Sequence, residues 1–121
     1  MGIKQIAGVR LLVYDNNGNE TEGPEIKEKV IWLRSTWVYD GVCKYEYSID
    51  GKIFTPFGNT YKMTWGFYRG DRIGIYCYNQ SEEKGYVDVD WFKYDYSALI
   101  NFQVIFPILS GFPFSAFEIV P

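Results

Sequence analysis

The chain has 121 residues, 47% hydrophobic and 20% aromatic, with no histidine and a formal net charge of -3. That length suits one compact domain, and so much apolar surface excludes a disordered segment. The acidic balance offers no footprint for a nucleic-acid backbone, and the lack of His removes Ser-His and Cys-His nucleophile pairs and imidazole metal ligands.

Met1-Gly2-Ile3-Lys4-Gln5 lacks the basic flank and long apolar run of a signal peptide. Residues 6–14 read as a strand, and Asp15-Asn16-Asn17-Gly18-Asn19 as a tight turn. The turn's oxygens make calcium the one cofactor candidate. It lacks the EF-hand spacing and the terminal bidentate Glu, so a hairpin explains it more simply and no metal or cofactor is expected. Glu20 to Lys29 is polar, and Gly23-Pro24 marks an irregular connection.

Val30 to Tyr39 alternates, with Ile31, Leu33, Ser35 and Trp37 on one face and Trp32, Arg34, Thr36 and Val38 on the other. Asp40-Gly41 signals a two-residue hairpin into a strand from Val42 to Ile49. Asp50-Gly51 closes a second hairpin, and Ile53-Phe54 opens a short strand that Pro56 ends. Tyr45 and Tyr47, two apart on a strand, are read as core.

Trp65-Gly66-Phe67-Tyr68-Arg69-Gly70 reads as an aromatic loop that either plugs the end of the fold or stacks on a ligand. Asp71 to Asn79 alternates again, with Ile73, Ile75 and Cys77 opposite Arg72, Gly74, Tyr76 and Tyr78. A charged loop leads to a strand from Tyr86 to Tyr94, with Val87, Val89 and Trp91 opposite Tyr86, Asp88, Asp90 and Phe92. Cys43 and Cys77 sit in apolar runs and read as buried small hydrophobes, bridged only if their strands are neighbours.

From Ala98 to Pro121 the only charged residue is Glu118. Pro107, Gly111 and Pro113 interrupt that stretch, so extra strands or an edge cover are expected and a membrane span is not. Short strands with regularly spaced turn signals predict an all-β sandwich or barrel, with 1–97 as the module and 98–121 as an apolar tail.

Three blocks carry a resemblance: Tyr47-Ser48-Ile49-Asp50-Gly51-Lys52 with Phe54, Pro56 and Gly58; Gly70-Asp71-Arg72-Ile73-Gly74-Ile75-Tyr76; and Gly85-Tyr86-Val87-Asp88-Val89-Asp90-Trp91-Phe92. Their order and separation resemble the C-terminal half of the concanavalin-A-like module of glycoside hydrolase family 43 beta-xylosidases and arabinofuranosidases. The resemblance implies an antiparallel β-sandwich of the concanavalin A-like jelly-roll type, completed by the tail or by dimerisation. It further implies a non-catalytic role beside a glycoside hydrolase catalytic domain. Xylan or xylo-oligosaccharide would be the ligand, with no nucleic acid and no membrane as partner. The alternative is a structural domain that packs on a catalytic propeller and binds no sugar alone.

Sugars are held by aromatic faces stacked on pyranose C–H faces and by planar hydrogen bonds to hydroxyls. On that basis Trp32, Arg34, Trp65, Tyr68, Arg72, Tyr76, Asp88 and Asp90 are the candidate carbohydrate contacts, most of them expected on the outer side of one sheet. The bland reading pairs Arg34 and Arg72 with Asp88 and Asp90 as a structural network. Asp88 and Asp90 are also a carboxylate pair. Two residues apart on one strand, however, they point the same way and cannot flank a glycosidic bond from opposite sides, so no catalytic residue is nominated.

Overall fold

The computed structural model describes residues 1–38, 40–64, 73–78, 86–95, 101–111 and 116–120. Trp65, Tyr68 and Arg72 lie outside the described residues. Every regular element among those described is a strand, and every pairing is antiparallel. No helix among them is long and apolar enough to cross a membrane.

The strand expected over 6–14 is the second arm of a hairpin together with its turn, and a further strand precedes it. β1 (Gly2–Ile6) turns at Ala7-Gly8 into β2 (Val9–Asn16), with Ile6 opposite Val9. Ala7 and Gly8 have φ of 48° and 83°, the left-handed geometry that a two-residue hairpin needs. Asn17-Gly18 makes the next turn, where the Asp15 carboxylate accepts the Gly18 N–H at 2.6 Å. The polar stretch then proves to be a strand, β3 (Asn19–Glu25), rather than an irregular connection. It lies at a sheet edge, where charged side chains and Pro24 discourage further pairing.

β4 (Val30–Val38) and β5 (Val42–Ser48) pair from Trp32↔Ser48 to Trp37↔Cys43. The Gly41 N–H donates to the Val38 carbonyl at 2.8 Å to close the turn. Ile31, Leu33 and Ser35 are buried while Trp32, Arg34 and Thr36 are half-buried on the opposite face, as the alternation predicts. Beyond β5 the chain runs through a loop at 49–54. Ile53-Phe54 belongs to that loop, and the short strands are β6 (Thr55–Pro56) and β7 (Tyr61–Lys62), both paired to β5.

β8 (Gly74–Tyr78) follows, then β9 (Tyr86–Val89) and β10 (Lys93–Asp95). The single strand expected over 86–94 is therefore broken at 90–92, so Trp91 and Phe92 leave the predicted alternation. β9 and β10 both pair with β11 (Asn101–Gly111), but the register moves from Val89↔Ile108 to Lys93↔Ile105, which accommodates one extra residue. Pro107 lies opposite the break. Its carbonyl accepts the Asp90 N–H at 3.4 Å, so its nitrogen, which has no hydrogen, faces the same neighbour. A ladder cannot continue past a missing donor, and a bulge forms there.

β12 (Ala116–Val120) completes the set. The five-stranded sheet runs β3-β2-β1-β12-β8 and the seven-stranded sheet runs β10-β11-β4-β5-β6, with β7 on β5 and β9 on β11. Both strands from the apolar C-terminal stretch thus have neighbours on two sides.

The two sheets share one core. Met1, Ile3, Leu12, Tyr14 and Ile26 meet Ile31, Leu33, Cys43 and Tyr45 in a continuous buried cluster. Tyr14 and Tyr45 touch across it with ring centroids 5.4 Å apart. Burial, and then contact with Cys43, pushes the Tyr45 hydroxyl pKa well above its ordinary value. The Ser35 hydroxyl lies 2.9 Å from the Cys43 sulfur, so this polar pair is satisfied inside the apolar layer. A Cβ added at Gly58 (φ 84°) would sit 2.5 Å from the Tyr14 ring, so close approach to this core requires glycine. An all-β antiparallel sandwich follows from these pairings and the shared core.

Candidate functional site

The outer face of the seven-stranded sheet carries Trp32 and Arg34 from β4, with Glu46 opposite Arg34 on β5. Both candidate ligand contacts are half-buried. The Arg34 guanidinium holds Glu46 at 2.7 Å and lies 3.8 Å over the Phe54 ring. Trp32 lies against the backbone of the 49–54 loop, close enough that a Cβ on Gly51 (φ 71°) would meet its ring at 3.0 Å.

That loop is held from within. Ser48 Oγ donates to Asp50 Oδ1 at 2.9 Å and accepts the N–H groups of Asp50 and Gly51. Asp50 Oδ1 in turn accepts the N–H groups of Lys52 and Ile53 at 2.8 and 2.9 Å. Donors aimed at a carboxylate favour its charged form. The backbone N–H groups of Ile53 and Lys52, then Ser48, lower the Asp50 pKa to about 2. The first resemblance block is therefore a self-capped loop roofing Trp32 and Arg34. A shallow hollow of about 270 Å³ opens beside it, lined by Tyr47, Ser48, Ile49, Asp50, Ile53 and Thr55.

Asp88 is exposed on the outer side of β9, since Val87 and Val89 pack against the core, and Asp90 is exposed just beyond the strand. Arg34 does not pair with Asp88 as the structural-network reading has it. Their partners on β11 are Ile105 and Leu109, on opposite edges of that strand, and the nearer carboxylate of Glu46 takes the guanidinium.

Tyr76 corrects the grouping further, because it belongs to the other sheet. On β8 its ring stacks on Tyr78 with centroids 5.5 Å apart and planes 23° from parallel. The register rows Tyr78–Ala116–Lys4 and Tyr76–Glu118–Gly2 place both rings on the face opposite buried Ile3. Lys4 is on the same face and holds Glu20 at 2.6 Å. That hydrogen bond raises the lysine's pKa, with smaller contributions from Glu22 and Tyr78. The outer-face cluster expected from the sequence is thus split between two sheets. Tyr78 was within reach of the same reading, two residues from Tyr76. Lys4 and Glu20 were not, since neither β1 nor β3 was legible as a strand.

The two cysteines also separate. Neither forms a disulfide; Cys43 is buried as expected, whereas Cys77 is exposed on β8, which lies at the sheet edge. Partial desolvation still raises the Cys77 pKa, which disfavours a reactive thiolate. Further exposed aromatic side chains are Tyr86, Trp91, Phe92 and Tyr94, the last packing at 5.8 Å on Trp37. Among the described residues no group of His, Cys, Asp or Glu could hold a metal ion.

Comparisons with known proteins agree with this architecture. A beta-xylosidase of Formosa agariphila is 44% identical over 86 residues, which make up 71% of this chain and 14% of that protein. The chain thus spans only a small part of that relative's length, and the catalytic domain of such an enzyme is not within the matched region. No solved structure matches. Residues 4–95 match the beta-xylosidase C-terminal concanavalin A-like domain, and it is to this family of non-catalytic modules that the chain belongs.

Proposed function

We propose that the chain acts as the accessory module of a glycoside hydrolase that degrades xylan-type hemicellulose, and that it holds the polysaccharide near the catalytic domain. Large aromatic side chains exposed beside charged groups, above all the Tyr76–Tyr78 pair near Lys4 and Glu20, support this reading. Aromatic rings offer flat apolar faces to pyranose C–H groups at little entropic cost. The similarity to a beta-xylosidase supports a xylan-type sugar as the ligand. Affinity electrophoresis through gels with and without soluble xylan is the test. Retardation that grows with xylan concentration is expected, and unchanged mobility up to millimolar xylose equivalents removes the sugar-binding role.

A second reading, that the module only packs on the catalytic domain, draws on Trp91 and Phe92 in the bulge and on Tyr94. These are apolar, exposed and grouped along one segment, which suits a protein partner better than a hydroxylated one. It predicts stable co-purification with a beta-xylosidase catalytic domain, abolished by W91A/F92A, whether or not xylan retards the module.

A further inference from the structure

We propose that the hollow beside the 49–54 loop holds one pentopyranose unit of a neutral xylan-type chain, with Asp50, Tyr47 and Thr55 as its polar contacts and Ile49 and Ile53 as its apolar walls. This rests on the carbohydrate-binding reading given above and deepens it by naming the pocket and the groups that grip the sugar.

The hollow is built on a cross-strand pair. Tyr47 on β5 stands opposite Thr55 on β6, and partners in register send their side chains to the same face. The Tyr47 ring is anchored edge-on against Phe57, with centroids 6.3 Å apart. Among the described residues neither hydroxyl has a hydrogen-bond partner, and no buried side-chain oxygen or nitrogen goes unsatisfied, so both hydroxyls meet solvent. The three bonds that reach the Asp50 carboxylate, from Ser48, Lys52 and Ile53, all end on Oδ1, which leaves Oδ2 for a ligand. Ile49 and Ile53 are 49% and 75% exposed in a loop that its own hydrogen bonds already fix. A site preformed in this way loses little freedom on binding.

The chemistry of the lining selects the ligand. Oδ2 only accepts, because the carboxyl stays ionised down to its pKa of about 2, whereas the two hydroxyls both donate and accept. A sugar ring offers the complement, with hydroxyls around its rim and C–H faces for the aliphatic walls. A cation suits the carboxylate less well, since its charge is already met by three donors and by Lys52 nearby. The volume, about 270 Å³, falls below the roughly 300–1,000 Å³ of drug-sized pockets, which suits one ring rather than a longer oligomer.

The test is a titration of the isotope-labelled full chain with xylotriose, read in the backbone amide NMR spectrum. Saturable shifts are expected at the amides of Gly51, Lys52 and Ile53, with a Kd on the order of 1 mM. Y47F/T55V removes both hydroxyls with little change of shape, and I53D puts a charge in place of an exposed apolar wall. Each should bind roughly tenfold more weakly while its spectrum keeps the wild-type dispersion. W91A, toward the far side of the seven-stranded sheet, should bind as the wild type does. If xylotriose shifts other amides and spares these three, or if Y47F/T55V and I53D bind as tightly as the wild type, the hollow is overturned while the carbohydrate reading stands. Shifts at these amides with arginine amide but not with xylotriose assign the hollow to a cationic side chain and overturn the sugar. No shift anywhere up to about 50 mM xylotriose removes the hollow together with the sugar-binding role.

Discussion

The two outer faces of the sandwich carry similar residue types and use them differently. On the seven-stranded sheet, Trp32 and Arg34 look outward but are roofed by the 49–54 loop, the ring against Gly51 and the guanidinium between Glu46 and Phe54. On the five-stranded sheet, Tyr76 and Tyr78 stack on one another and remain substantially exposed. Alternation tells which way a side chain leaves its strand. What then covers it depends on the nearest loop. An outward aromatic is therefore a ligand candidate only where no neighbouring segment closes over it.

The contrast can be broken most forcefully at Gly51. G51V adds a branched side chain at φ 71° against the Trp32 ring and should cost about 2–3 kcal/mol, read as a lower urea midpoint with unchanged slope. W32A should cost about 2 kcal/mol by uncovering the same loop. A smaller loss, about 1–2 kcal/mol, is expected for R34A, which leaves Glu46 half-buried without its partner and Phe54 without its cation. Y76A, on the other face, should change stability by less than about 1 kcal/mol. Equal losses at Trp32 and Tyr76 would erase the distinction between the faces.

The smallest effect is a pH dependence. Asp50 is held near a pKa of about 2 in the fold, below its ordinary 3.8. A depressed carboxylate stabilises the fold above its unfolded value, and that contribution fades as pH falls through the folded one. The melting-temperature gap between wild type and D50N should therefore be constant above about pH 5 and close between about pH 4 and pH 2. A gap that persists at pH 2 would mean that the substituted amide disrupts the loop by shape rather than by loss of charge.

Much of the seven-stranded sheet was legible because β4 and β5 each bury one face only. Ile31 and Leu33 therefore alternate with Trp32 and Arg34, and the period is visible in one dimension. The strand expected over 6–14 started too early and β1 went unread, because the turn between β1 and β2 uses Ala7, a residue with no polar turn signature, in a left-handed conformation. β3 was hidden by its own edge protection, since Glu20, Glu22 and Glu25 look like a solvated connection. The break between β9 and β10 depends on Pro107, remote in sequence and opposite only once β11 has docked. The expected grouping of these residues on one sheet failed for a related reason. Each residue's facing could be inferred for Arg34 and Tyr76 alike, but nothing local says that they belong to different sheets, or that Glu46 stands nearer to Arg34 than Asp88.

The five-stranded sheet ends in two unlike margins. β3 is lined by Glu20, Glu22 and Glu25 around Pro24, whereas β8, Gly74-Ile75-Tyr76-Cys77-Tyr78, bears no charge at all. Among the described residues, then, one margin carries the charges and the proline that refuse a further strand, and the other carries neither.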